Sequence, residues 1–374
     1  MRDKRQEIAT ALKQDGKPVL IYGAGKFAVH AANYLLANDI PVFGFWDMPE
    51  YYYKGKTIKA GQNKEEKIYK VYSEEEIDEI LAFSKGGGKA YNVLLGRIDY
   101  SMLGQLRQKC LGCNIVEYLD GNPSRIMDMQ FIEKNRELLQ ETYDLLSDNE
   151  SRKVMEIYVL ARLSGDVSPL SKLNSRKYLY DYELLNLEKQ DIVVDAGSFD
   201  GDSIREMQQY INGRLSHVYA FEPDEATFGM LKRNMGNRDD IDCICAGLWK
   251  VNAILNFGGS GTMSSKLEDC ETECKTKVYS LDQFLGDSKA SLIKMDIEGA
   301  ELDALAGAEK TITSVMPKLA ICIYQKNEDL FSIPLYLKKI TEKSQNKKYR
   351  FYFRQHSHSA TETVCYAIPE TIER

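Results

Sequence analysis

The sequence predicts an α/β protein whose C-terminal half is a doubly wound, mostly parallel sheet closed by an antiparallel edge pair. A smaller Rossmann-like unit precedes it, joined by a helical connector. Short apolar runs alternate with stretches of helical period along most of the chain. Two of those runs end in a glycine turn that opens a helix. At 374 residues the chain exceeds one ordinary core, so a domain at 1–122, a connector at 123–175 and a second domain at 176–374 are expected.

Lys17–Tyr22 reads as a strand, Gly23-Ala-Gly-Lys-Phe-Ala28 as a turn, His30–Asn38 as a helix and Pro41–Trp46 as a strand ending at Asp47. This is a β-α-β unit of the dinucleotide-binding kind, with Ala28 in place of the third glycine. A charged, tyrosine-bearing stretch follows from Glu50 to Glu76. Tyr91–Leu95 reads as a strand, Ser101–Cys110 as a helix and Asn114–Tyr118 as a strand, before Gly121-Asn-Pro-Ser124 breaks the pattern. From Ser124 to Gly165 helix formers run without internal glycine or proline, and Met127, Phe131, Leu138, Leu145, Val154, Ile157 and Leu160 suggest an apolar stripe.

In the second domain, strands are expected at Ile192–Asp195, Val218–Phe221, Asp242–Cys245, Ile254–Phe257, Leu292–Met295 and Leu319–Ile323. Helices are expected at Asp202–Ile211, Glu225–Asn234, Leu281–Leu285, Ala300–Thr313 and Ile333–Ile340. Arg350–Arg354 and Thr363–Ala367 have no helix between them and form the antiparallel edge.

Composition narrows the function. A net charge of -7 argues against a general phosphate-backbone binder, so no nucleic-acid partner is expected. No run approaches the roughly 20 apolar residues that span a bilayer, and the N-terminus carries mixed charge with no apolar stretch behind it. The expectation is a cytoplasmic protein with no membrane partner. Of the eight cysteines, the Cys110/Cys113 and Cys270/Cys274 pairs are spaced like zinc ligands but fall in different domains. Reduced thiols and no metal are expected.

Chemistry concentrates in Asp191-Ile-Val-Val-Asp-Ala-Gly-Ser-Phe-Asp-Gly-Asp-Ser203. Its glycines let bare backbone approach a ligand. Asp195, Asp200 and Asp202 would repel a pyrophosphate there and attract a cation, and S-adenosylmethionine, with a sulfonium and an ammonium, fits. Glu222, in Tyr219-Ala-Phe-Glu-Pro223, stands where dinucleotide folds hold a ribose; the alternative is an acidic loop residue without that role. Asp296, in Leu292-Ile-Lys-Met-Asp-Ile-Glu-Gly-Ala-Glu301, ends a strand at the carboxyl edge. It is expected to share one crevice with Asp195, and to hold the methionyl ammonium, orient the acceptor or act as a base. Glu298 is a second candidate, or a cap of the next helix. Gly258-Gly-Ser-Gly-Thr-Met-Ser-Ser265 reads as a lid or a plain connection. The N-terminal loop carries Lys26 and no carboxylate, so it permits an anion, with Asp47 as a ribose acceptor. An NAD(P)-dependent oxidoreductase, or a non-catalytic nucleotide-binding protein, is therefore the alternative function.

From about Tyr178 to Pro369 the chain resembles the FkbM family of S-adenosylmethionine-dependent methyltransferases. The matching segments are Asp195-Ala-Gly-Ser-Phe-Asp-Gly-Asp202, Phe221-Glu-Pro223, Tyr279-Ser-Leu-Asp-Gln-Phe-Leu285, Lys294-Met-Asp-Ile-Glu-Gly-Ala-Glu301, Pro317-Lys-Leu-Ala-Ile-Cys-Ile-Tyr324, and Phe353-Arg-Gln-His-Ser357 with Glu362-Thr-Val364. The resemblance implies a class I methyltransferase sheet and O-methylation, here of a sugar or other small polar metabolite, with a Rossmann-like N-terminal unit in some members. It carries cofactor binding onto Asp195, Gly197, Ser198, Glu222 and Asp296, and their neighbours Ala196, Phe199, Gly201 and Pro223 are expected to bind the cofactor with them. The family often has histidine where this chain has Gln325. His356 is then the nearest imidazole that could serve as a base, with His358 behind it, although a structural histidine suits either position. Displacement at a sulfonium needs alignment and a modest proton acceptor, and no metal is required.

Overall fold

The computed structural model describes residues 3–61, 66–85, 91–96, 103–117, 119, 121–122, 125–173, 178–257, 274–342, 347–357 and 361–371. The chain divides into two compact units, one of residues 1–132, 157–173 and 358–361, the other of residues 133–156, 174–357 and 362–374. The Gly258–Ser265 loop, Cys270 and His358 lie outside the described residues. No helix among the described residues is long and apolar enough to cross a membrane.

The N-terminal unit runs α1 (Lys4–Asp15), β1 (Val19–Tyr22), α2 (Lys26–Ala37), β2 (Val42–Trp46), β3 (Thr57–Ala60), β4 (Lys67–Tyr72), α3 (Glu74–Lys85), β5 (Asn92–Leu95), α4 (Leu103–Lys109) and β6 (Asn114–Val116). Its sheet has the order β3-β4-β2-β1-β5-β6. All pairs are parallel except β3 with β4. β1 and β5 are buried along their length, as parallel strands covered on both faces must be. Ile21, Ala28, Leu35 and Phe45 belong to one core cluster, Leu20, Trp46, Ile77 and Val93 to the other. The charged stretch after Glu50 supplies β3 and β4, and the exposed Lys59 on the edge strand β3 blunts the open edge.

The connector divides between the units. Its helices are α5 (Met129–Lys134), α6 (Arg136–Leu145), α7 (Asn149–Ser164) and α8 (Ser168–Ser171). The break between α6 and α7 has a cause. Leu146 bridges to Phe351, the Ser147 N–H donates to the Phe351 carbonyl at 2.8 Å, and Asp148 accepts from the Ser151 N–H at 2.7 Å. Asp148 also binds Arg354 at 2.6 Å; burial opposes its charge, but Arg354 and Ser151 bring its carboxyl down to about 2.

In the C-terminal unit the parallel strands are β7 (Ile192–Ala196), β8 (His217–Phe221), β9 (Ile241–Ile244), β13 (Leu292–Met295) and β14 (Lys318–Cys322). Helices α9 (Asp202–Tyr210), α10 (Glu225–Met235), α11 (Leu281–Leu285), α12 (Glu301–Ala306), α13 (Glu309–Val315) and α14 (Asp329–Thr341) connect them, and β15 (Lys347–Gln355) and β16 (Thr363–Thr371) close the sheet. The order is β15-β16-β14-β13-β7-β8-β9. β16 runs antiparallel between β14 and β15, so the last strand of the chain is internal. This is the class I methyltransferase arrangement. β8 and β13 flank β7, which makes the carboxyl end of β7 the switch point where such sheets bind ligands.

Two local expectations change. The strand expected at Ile254–Phe257 leaves the main sheet: as β11 (Ala253–Phe257) it pairs antiparallel with β12 (Cys274–Tyr279), and β10 (Gly247–Leu248) completes a separate three-stranded sheet. The helix expected at Ala300–Thr313 splits at Gly307. A Cβ there would stand 2.1 Å from the Trp249 carbonyl oxygen, so that chain crosses against bare backbone.

Candidate active site at the switch point

The turn after β7 is a packed structure. Gly197 has φ +76, and a Cβ on it would lie 1.9 Å from the Asp296 carbonyl oxygen. A Cβ on Gly201 (φ +89) would meet Met235 and Leu231. These glycines therefore let the turn pack on β13 and α10, rather than baring backbone to a ligand. Ala196 and Ser198 are fully buried, and the Ser198 hydroxyl donates to the Asp195 carbonyl at 2.8 Å. The Ser198 side chain is thus spent inside the turn. Phe199, at φ +49, is 54% exposed and gives the turn its apolar outer face.

Asp195 does not face the crevice. It has no exposed surface; Lys294 Nζ lies 2.9 Å from its Oδ1, and the Ser203 hydroxyl donates to its Oδ2 at 2.6 Å. Lys294 is its direct neighbour across the parallel pair of β7 and β13, and also donates to the Gly197 carbonyl at 2.7 Å. Burial works against the ammonium, but Asp195 and Asp296 outweigh it and hold Lys294 above its usual range. Asp200 is likewise paired, with Arg205 at 2.8 Å. Two of the three aspartates that suggested a cation-selective loop are therefore neutralised, and the exclusion of a pyrophosphate loses most of its electrostatic basis.

Glu222, at the end of β8, accepts from the Phe199 N–H at 3.1 Å through Oε2 and from the Asp224 N–H at 3.0 Å through Oε1. No cation among the described residues pairs with it, and burial raises its pKa above the usual value. Pro223 beside it is half-buried. Asp296 follows β13 and is partly exposed, with the Tyr324 hydroxyl donating to its Oδ1 at 2.7 Å. Burial, then the Asp296 charge, push the Tyr324 phenol well above its usual range, so it remains a donor.

Glu298 is exposed in a left-handed conformation at φ +57. Neither glutamate caps α12, whose start carries no side-chain cap bond; Glu301 accepts from the Ile297 N–H, ahead of the helix, at 2.9 Å. Glu301 has no exposed surface, and burial and the Asp329 charge push its carboxyl up to about 8. His356 is a structural histidine. It is 7% exposed, its Nε2 lies 2.8 Å from the Tyr366 hydroxyl, and its Nδ1 lies 3.3 Å from the Tyr178 carbonyl. The carbonyl can only accept, so Nδ1 carries the proton, and Nε2 takes the tyrosine hydrogen.

Sequence reasoning assigned nothing to Lys294, Tyr324 or Glu362. A lone lysine inside the apolar run Leu292–Met295 was the available signal for the first. Glu362 is half-buried opposite Tyr324 in the β14–β16 register, which pairs Cys322 with Val364. Burial and the Asp296 and Asp202 charges push it up to about 7. In the N-terminal unit, Asp47 is buried and bound to Lys56 at 2.8 Å, so the acid proposed there for a ribose is already neutralised. Among the described residues no group of His, Cys, Asp and Glu could hold a metal ion.

The family model of the methyltransferase FkbM domain matches residues 195–358, from the buried aspartate to just beyond His356. The chain carries an FkbM methyltransferase domain. A crystal structure of a methyltransferase FkbM from Methylobacillus flagellatus is similar with a TM-score of 0.62 at 20% identity, covering 98% of each chain, and shares the fold. Methyltransferase 1 of Beauveria bassiana is 27% identical over 159 residues, an alignment covering 34% of this chain and 62% of the relative. The chain thus spans less than two thirds of that relative. The matched stretch contains the switch-point residues Asp195, Gly197, Glu222, Lys294, Asp296, Tyr324 and His356, and leaves out Glu362, the tyrosines that hold His356, and Asp47 with Lys56.

Proposed function

We propose that the chain is an S-adenosylmethionine-dependent methyltransferase that O-methylates a sugar or another small polar metabolite. Glu222 carries this reading. Each carboxylate oxygen accepts one backbone N–H and keeps a further lone pair, which suits the vicinal hydroxyls of a ribose. The FkbM domain match supports the same cofactor. Bound there, S-adenosylmethionine supplies a methyl group on a good leaving sulfur.

The chain's own residues bind and orient. Glu222 holds the ribose, and the exposed Phe199 ring offers an apolar face beside it. Asp296, fixed by the Tyr324 hydroxyl, keeps Oδ2 for an ammonium or for the acceptor hydroxyl. The Lys294–Asp195 pair locks β7, β13 and the turn in register, so these groups are placed before anything binds.

Calorimetric titration of the purified protein with S-adenosylmethionine, S-adenosylhomocysteine and NAD tests the reading. Binding of the first two is expected. Binding of NAD alone would overturn it in favour of the N-terminal loop.

A further inference from the structure

The C-terminal edge of the sheet holds one carboxylate that the reading above does not use. Glu362 precedes β16, at φ +59, in a conformation that a side chain of this size rarely adopts. Its backbone carbonyl accepts from the His356 N–H at 3.0 Å, which pins the residue at the neck of the β15–β16 hairpin. The register carries it opposite Tyr324, whose hydroxyl binds Asp296. Its side chain makes no hydrogen bond to any described residue. The charges that face it are Asp296 after β13 and Asp202 at the start of α9, both negative. The buried ammonium in this region, Lys294, is directed at Asp195 and the Gly197 carbonyl.

A half-buried carboxyl with two anionic neighbours and no hydrogen-bond donor among the described residues is poorly placed to ionise by itself. A cation entering the crevice would supply the missing partner. We propose that Glu362 is the residue by which the site distinguishes the cationic methyl donor from its neutral thioether product: it gives up its proton when the sulfonium binds and takes one back once that charge is lost. This rests on the methyl-donor reading above. It makes donor binding proton-linked and weakens the hold on the donor relative to the product in acid.

The sign follows from linkage. Glu362 titrates at about 7 in the protein alone, and a neighbouring cation lowers that value, so donor binding releases a proton at neutral pH. The affinity for S-adenosylmethionine relative to S-adenosylhomocysteine should rise about fivefold from about pH 6 to about pH 8 if the cation lowers the carboxyl by about one unit, and about tenfold if it lowers it by about two or more.

Isothermal titration of the full chain, in two buffers of different ionisation enthalpy, measures the proton count directly. Wild type is expected to release more protons with S-adenosylmethionine than with S-adenosylhomocysteine. Glu362→Gln should abolish that difference and flatten the pH dependence of the affinity ratio while still binding S-adenosylhomocysteine, which reports an intact site. Glu362→Asp should restore the proton release. An undiminished difference in Glu362→Gln would overturn the proposal, as would equal release with both ligands in wild type. If neither ligand binds wild type, it is the methyl-donor reading that fails.

Discussion

Both units place a glycine turn after a central parallel strand and an acid at the end of the next strand, and they use the two features in opposite ways. In the N-terminal unit the turn is open: Gly25 lies at φ -90 with nothing within 4 Å of a Cβ built on it. The acid there, Asp47, is neutralised by Lys56. In the C-terminal unit the turn is packed against the Asp296 carbonyl, and the acid, Glu222, is held by two backbone N–H groups. A carboxylate paired with a lysine has little left to offer a ligand; one held by amides keeps both charge and lone pairs. Shared topology locates a possible site in each unit. The neighbours of the acid decide which one is usable.

The largest effect should come from the buried ion pair. Lys294→Met leaves Asp195 charged and unpaired where no water reaches it, and should cost about 3–5 kcal/mol in urea unfolding. Lys56→Met removes a lysine that is 16% exposed and should cost less than half as much. Lys294→Met with Asp195→Asn should recover most of the loss. Equal costs for the two lysine variants would mean that burial is not what separates the pairs.

The turns themselves come next. Gly197→Ala drives a methyl into the Asp296 carbonyl from a left-handed backbone, and should cost about 3 kcal/mol. Gly25→Ala should stay within about 0.5 kcal/mol. Thermal melts of the two variants side by side test this contrast.

A smaller effect follows from Glu301. Its folded-state value of about 8 lies above the ordinary 4.5, so the folded protein holds a proton that the unfolded chain releases. The associated stability is complete below about pH 4.5 and is lost as pH rises through about 8. Glu301→Gln keeps an acceptor for the Ile297 N–H and removes the titration. Between about pH 6 and pH 9 the wild-type melting temperature should therefore fall by a few degrees more than that of the variant. Parallel pH dependences would contradict the assignment.

Much of this was legible in the sequence because it depends on local pattern. The strand–turn–helix at Asp195, the acid at Glu222 and the edge position of Asp296 follow from periodicity and turn chemistry within a few residues. What escaped depends on register between distant strands. Asp195 reads as a free carboxylate until β13 is set beside β7 and Lys294 falls opposite it. Glu362 reads as a loop residue until β16 inserts next to β14. The small sheet of β10, β11 and β12 escaped for the same reason, because β11 pairs with β12, which begins only at Cys274. His356 misled in the opposite direction: an imidazole near the site looks catalytic until both ring nitrogens are found against Tyr366 and Tyr178.

The central claim is that the usable acid is Glu222 and not Asp47. Titrating Glu222→Ala and Asp47→Ala with S-adenosylmethionine by calorimetry tests it most directly. The account predicts a loss of about 1–3 kcal/mol of binding in the first variant and wild-type affinity in the second. Unchanged affinity in a folded Glu222→Ala, or a loss confined to Asp47→Ala, would contradict it.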